Sequence, residues 1–330
     1  MSASSDTLGW LVICYFLSAP QTSTVLIFML SETICQQVSD GNLHTPCFIE
    51  MSSSDRRPYN QLTRCSHDPL HNPENEDLAI IYRPLFWTSF WAEDWLFSSL
   101  PTPYRGASSI LVSSASSKTA FCLAYLLRKR RFQGATAIKT VGLTSKKNLS
   151  FTNGLGLYDA VLTYNDDLET QLDIDGSWVY VDVASNSELN GRILGALKGG
   201  LVRYVSLGLT NLTPRDANSY SPPSSGVTAS TTSTSPEFFF MPEWLAQRRK
   251  TLKISEIANL QTGAWSGLME DCKSWISLTR TWGAHQIQKA YEEVIEKGVG
   301  PEKGLIWSLW NEEDAESWQR HGAPNVISKL

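Results

Sequence analysis

Residues Ser108 to Ala120 read S-S-I-L-V-S-S-A-S-S-K-T-A, a short apolar run that opens through small residues into a helical pattern. Ile110, Leu111 and Val112 favour strand and are bounded by serine, the pattern of a buried parallel strand. Ala120, Leu123, Ala124 and Leu127 then recur at helical spacing, and Arg128 to Arg131 close the last turn, where cations suit the helix dipole. Strand, tight turn and helix together make a phosphate-binding pattern, because the first-turn amides of a helix have no intrahelical acceptor and small residues let an anion approach them. The candidate contacts are Ser113, Ser114, Ser116, Ser117, Lys118 and Thr119. Neither the G-x-G-x-x-G fingerprint nor the P-loop is present, since Val112 and Ser117 stand where a P-loop needs glycine. A plain strand-helix unit with a serine-rich cap is the competing reading of these residues alone.

The chain beyond this turn repeats the unit. Thr140 to Thr144, Ala160 to Tyr164, Trp178 to Val183 and Leu201 to Leu209 are expected strands, and Ser187 to Leu197 is an expected helix that ends at Gly199-Gly200. Strands alternating with helices at this pitch predict a Rossmann-like α/β domain, a doubly wound sheet with five parallel strands over residues 108–213. The end of the second strand bears on cofactor choice, because an acid there would accept the ribose 2′-OH of NAD. This chain has Thr144, Ser145, Lys146 and Lys147 instead, hydroxyls and ammonium groups that suit a 2′-phosphate. NADP(H) is therefore the expected cofactor, with a solvated helix start as the alternative. Asp182 either lines the cleft or caps the next turn.

On either side of this domain the pattern is helical. Thr88 is expected to cap a helix running from Ser89 to Leu100, while Pro242 to Lys250, Trp265 to Leu278 and His285 to Lys297 are expected helices. Gly298 stops the last of them, and a strand is expected from Leu305 to Trp310. Residues 214–235 are rich in Ser, Thr and Pro and read as a flexible loop.

Composition narrows the function classes. The chain has 330 residues, 42% of them hydrophobic, enough for a sizeable core in two domains. With a net charge of -5 and one short basic run, it offers no electrostatic surface for nucleic acid. Six cysteines and five histidines are scattered without ligand spacing, so reduced thiols and no metal site are expected. Residues 1–56 contain no cation before Arg56 and are expected to be poorly ordered or foreign to the rest. The apolar stretch Gly9 to Leu30 is split at Pro20 to Thr24 into runs shorter than a bilayer needs, and it lacks the positive start of a signal peptide. A cytoplasmic protein is expected, with no membrane partner.

From Arg57 the chain is dense in aromatic, proline and acidic residues. Tyr59-Asn60, Asp68-Pro69, Pro73-Glu74, Arg83 to Phe86, Thr88 to Phe90 and Asp94 resemble a fungal and bacterial family of unknown function, as do S-S-A-S-S-K-T-A (113–120), G-L-T-S (142–145), G-L-Y-D (156–159) and V-Y-V-D (179–182). That family resembles divergent medium-chain dehydrogenase/reductases of the quinone-oxidoreductase type. The resemblance covers roughly residues 57–330. It leaves out the first 56 residues, where the larger family carries most of its GroES-like half, and so implies an incomplete catalytic domain. Residues 57–107 would be the remnant of that domain and its connecting helix, and 236–330 the helical part that returns to it. The resemblance also implies that Thr88 and Ser89 lie against a nicotinamide, as cofactor or substrate contacts.

Other catalytic patterns are misplaced or missing. Tyr125 and Lys129 have the short-chain dehydrogenase spacing but fall on the first helix, far from any nicotinamide. There is no G-x-S-x-G and no H-E-x-x-H. The medium-chain zinc ligands are missing as well. The sequence thus reads as a zinc-independent NADP(H)-dependent oxidoreductase that reduces a carbonyl or enone in a small molecule, with no catalytic residue assigned. The rival is a non-catalytic, truncated scaffold serving as an accessory or binding protein. A homodimer is compatible with either.

Overall fold

The structure is a computed structural model that describes residues 14–16, 25–27, 49–50, 61–62, 68–99, 102–132, 138–173, 175–207 and 235–308. The chain divides into two units, one taking residues 1–84, 255–299 and 303–330, the other 85–254 and 300–302. The expected loop at 214–235 lies outside the described residues up to Ser235, and so does the segment 1–56 apart from three short strands. Among the described residues no helix is long and apolar enough to cross a membrane. Neither Cys122 nor Cys272 is in a disulfide, and both are buried.

In the first unit two short antiparallel pairs come earliest, β1 (Cys14–Phe16) with β2 (Val25–Ile27) and β3 (Ile49–Glu50) with β4 (Gln61–Leu62). Helix α1 (Glu76–Ser98) starts in this unit and runs into the second. The expected helix start at Ser89 is therefore corrected. Asn72 accepts from Glu74 N (3.0 Å) to cap a 3-10 turn at Pro73–Asn75, Glu76 and Asp77 favour the first α-turn, and Pro84 sits inside the helix without ending it. Thr88 is a mid-helix residue and caps nothing.

The second unit holds β5 (Ser109–Val112), α2 (Lys118–Phe132), β6 (Lys139–Thr144), α3 (Leu149–Gly154), β7 (Ala160–Thr163), α4 (Leu168–Gln171), β8 (Trp178–Asp182), α5 (Ser187–Ala196), β9 (Leu201–Ser206), β10 (Pro236–Phe238) and α6 (Met241–Thr251). The six strands form one sheet in the order β10-β9-β8-β5-β6-β7, and every pair is parallel. The five expected strands are all there. The sixth, β10, was hidden because Pro236 opens it directly after the Ser/Thr-rich stretch; as the first residue of an edge strand a proline is tolerated.

β5 and β8 are buried along their whole length, as expected for strands covered on both faces. On one face Leu111, Trp178 and Tyr180 pack with Leu189, Ile193 and Leu197 of the α5 segment. Asp94 of α1 accepts from Trp244 Nε1 at 2.7 Å and pairs with Arg248 at 2.9 Å, which fastens α6; Glu93 is buried against Arg130 of α2.

The first unit resumes with α7 (Ile254–Asp271), β11 (Ser277–Trp282), α8 (Ala284–Lys297) and β12 (Lys303–Ser308). β11 and β12 pair in parallel. Here the expected helix from Trp265 to Leu278 needs correcting at both ends. The buried stripe Trp265, Leu268 and Met269 is helical as read, but α7 begins at Ile254 and stops at Asp271, and Leu278 belongs to β11. Exposed Thr279 and half-buried Thr281 carry that strand's β-branched preference without the buried alternation that would have revealed it. Gly298, at a φ of 70°, ends α8 as expected.

One glycine governs the architecture around the turn. A Cβ on Gly142 of β6 would sit 2.7 Å from Ala115 Cβ and 3.0 Å from Tyr158 Cδ1. Gly142→Ala should therefore destabilise the second unit by about 1–3 kcal/mol. Gly191→Ala in α5, where nothing lies within 4 Å of the added carbon, should stabilise it by roughly 0.5–1 kcal/mol. Denaturant unfolding of the two variants checks both signs.

Candidate functional site

The chain leaves β5 toward β6 and β7 on one side and reaches β8, β9 and β10 on the other, so the strand order reverses between β5 and β8. At such a switch point the crossovers depart in opposite directions and leave a crevice outside the carboxyl ends of the strands. Those ends are Val112 and Asp182, and the turn from Ser113 to Ser117 starts there.

Ser113 is fully buried, and its hydroxyl is fully used: it donates to Asp182 Oδ1 (3.0 Å) and accepts from Val183 N (2.9 Å) and Ala184 N (3.2 Å). Its amide donates to Val181 O at 3.0 Å. Ser113 is thus scaffold, with no capacity left for a ligand. Asp182, also buried, accepts from Ala184 N (3.0 Å), Ser185 N (2.9 Å), Asn190 Nδ2 (2.7 Å) and the Tyr204 hydroxyl (3.2 Å) besides Ser113. It caps the turn after β8 instead of lining a cleft. Tyr180 stacks on Tyr204 at 5.2 Å between centroids and donates to Asn190 Oδ1 at 2.6 Å, closing the network. Burial pushes the phenols of Tyr180 and Tyr204 well up, and the nearby Asp182 charge adds to this, so both remain protonated donors.

The rest of the turn is held from the β6 side. Ala115 N donates to Leu143 O (2.8 Å), the Tyr158 hydroxyl donates to Ala115 O (2.9 Å), and Asn148 Nδ2 donates to Ser116 Oγ (3.0 Å). Ser114 takes a left-handed φ of 51° and lies 3.5 Å from the Tyr164 hydroxyl. Ser117 caps α2, its hydroxyl accepting from Ala120 N at 3.4 Å, and the first intrahelical bond runs from Phe121 N to Ser117 O (3.0 Å). Lys118 is the first helical residue, with Nζ donating to Pro301 O at 3.2 Å. Burial pulls its ammonium down to about 8, against the opposing influence of Cys122 and Glu302.

The structure therefore brings Ser114, Ser116, Ser117, Lys118 and Thr119 to one turn and, through the Leu143 and Asn148 contacts, sets the end of β6 beside it. Thr144 is fully buried, and its hydroxyl has no hydrogen-bond partner among the described residues. By strand alternation it shares a face with Gly142, the face that meets Ala115. Ser145 precedes a 3-10 turn at Lys146–Asn148 without capping it, and Lys146 and Lys147 are exposed. Ser89 is a different case. Its buried hydroxyl shares its one proton between Thr119 O (2.8 Å) and Leu85 O (3.1 Å), tying α1 to the first turn of α2, and Thr88 is half-buried in the same helix. Asn148, Tyr158, Tyr164 and Asn190 were not foreseen. Only Tyr158 carried a signal, as part of G-L-Y-D, and its work is to hold the turn.

A wholly parallel sheet with this order, and a phosphate-type turn at its switch point, defines a Rossmann-type α/β domain. The chain belongs to the family described as protein of unknown function (DUF2855), whose model matches residues 28–300. The match begins well before Arg57 and ends before the last helix-to-strand turn is complete. No curated protein matches. Among solved structures, the chain is similar to the yhdH oxidoreductase of Salmonella enterica in complex with NADP, at 14% identity and a TM-score of 0.43 over 74% of this chain and 66% of that one. It is also similar to CurA of Vibrio vulnificus in complex with NADPH (11%, 0.44, 72% and 66%) and to the quinone oxidoreductase of Coxiella burnetii (15%, 0.37, 68% and 57%). The chain thus spans just under two thirds of the length of the first of these, and less of the last.

Asp182→Asn should cost about 1.5–3 kcal/mol of stability, because an amide cannot accept all of these bonds and brings a donor into a site filled with donors. Tyr204→Phe, which removes one donor, should cost about 1 kcal/mol. Chemical denaturation of the two variants gives the comparison, and equal losses would contradict this ordering.

Proposed function

We propose that the second unit binds NADP(H) at the carboxyl ends of β5, β6 and β8, and that the chain is a zinc-independent oxidoreductase reducing a carbonyl or enone in a small molecule. The observation that carries the proposal is Lys118, a half-buried cation at the positive end of α2, on a turn of small residues at the switch point of the sheet. A helix N-terminus and a cation on its first turn both favour a bound anion. The pyrophosphate fits that need. The ribose-phosphate end fits the groups that close β6: an orphaned Thr144 hydroxyl, Ser145, and two exposed lysines with no acid among them. When bound, the cofactor would supply the hydride. The chain's own residues position it: Ser117 and the α2 amides at the phosphates, Lys118 as counter-charge, Lys146 and Lys147 at the 2′-phosphate. Zinc independence rests on the scattered Cys and His of the sequence.

Calorimetry should find NADPH bound more tightly than NADH, and Lys146→Ala with Lys147→Ala should erode that preference by about one to two decades while leaving NADH little changed. Affinity for both should fall as pH rises through about 8, where Lys118 loses its proton, and Lys118→Met should weaken binding and remove that dependence. Folded protein that binds neither nucleotide would refute the proposal.

A further inference from the structure

Lys118 has a second suitor within its own unit. Gly300–Glu302 groups with the second unit although the chain on either side groups with the first, and its tie there includes the hydrogen bond from Lys118 Nζ to Pro301 O. Glu302 is exposed but close enough for its charge to act on Lys118. Its carboxylate is folded back over Gly300, where any Cβ would collide with it. The bond to the neutral Pro301 carbonyl is 3.2 Å long, whereas a phosphate oxygen makes a shorter, charge-assisted bond to an ammonium.

We propose that Gly300–Glu302 is an intramolecular competitor for the phosphate-binding turn: Pro301 O and the Glu302 carboxylate hold Lys118, and a pyrophosphate must take Lys118 from them, loosening the segment as it binds. This rests on the nucleotide reading above. Glu302 then sets affinity without touching the ligand, through the cation they share. The segment also gives the cofactor a way to act on the chain at a point far in sequence from the turn, because the residues released are the link between α8 and β12.

The test is calorimetric titration of NADPH, and separately of inorganic pyrophosphate, into the full chain and its Glu302→Gln, Lys118→Met and doubly substituted variants. Glu302→Gln, a change at an exposed side chain, should tighten both ligands by about two- to fivefold, the scale of a solvent-screened charge interaction. In the Lys118→Met background the same change should do nothing. Amide exchange of the wild-type protein, which needs no variant to fold, should speed up in peptides spanning residues 298–304 when NADPH is added. Tightening that persists without Lys118, no tightening, or unchanged or slower exchange with NADPH demonstrably bound would overturn the competitor and leave the nucleotide reading intact. Failure of wild type and Glu302→Gln alike to bind either ligand would overturn both.

Discussion

The bond from the Ser113 hydroxyl to Asp182 joins the ends of β5 and β8 at the one place where the sheet changes direction. The turns that follow both strands depend on it. Asp182 is buried with five donors around it, so its charge is dispersed without a cation, and the same oxygens fix the backbone of Ala184 and Ser185 and the side chains of Asn190 and Tyr204. Removing any one donor leaves the others in place; removing the charge leaves several donors competing for one oxygen. That asymmetry makes the network a clamp on the turn and explains why a serine can begin it.

Glycine usually serves such turns by allowing positive φ and close backbone approach. Here the two requirements are met by different residues. Ser114 takes the left-handed conformation itself, and the close approach is provided from beneath, by Gly142 of β6 under Ala115. The turn then carries hydroxyls and an ammonium where the fingerprint would carry bare backbone. Such a turn is expected to bind anions by charge as much as by amide geometry, which ties its behaviour to the protonation of Lys118.

The sheet was legible because β5, β6, β8 and β9 are apolar runs bounded by small or turn residues, and the phosphate-type turn because strand and helix periodicities meet across it. What escaped reading did so for identifiable reasons. The start of α1 is set by Asn72 and two acids in a stretch crowded with prolines, and Pro84 within the helix obscures its continuity. β10 is a three-residue edge strand, and β11 is exposed over most of its length, so neither shows a burial period. At the site, Ser113 reads as a ligand contact and Asp182 as either a cleft residue or a cap, because these residue types serve in both roles; only the hydrogen-bond count separates them. Pro301 could not be placed beside Lys118 from sequence, being so distant along the chain.

The most direct measurement is a crystal structure of the protein grown with NADPH. Density for the pyrophosphate is predicted over Ser114 to Thr119, within hydrogen-bonding reach of Lys118 Nζ, with the 2′-phosphate beside Ser145, Lys146 and Lys147. Nucleotide bound at any other surface, or a turn that closes against Asn148 and Tyr158 so as to leave no room for phosphate, would contradict the assignment of this turn as the cofactor site.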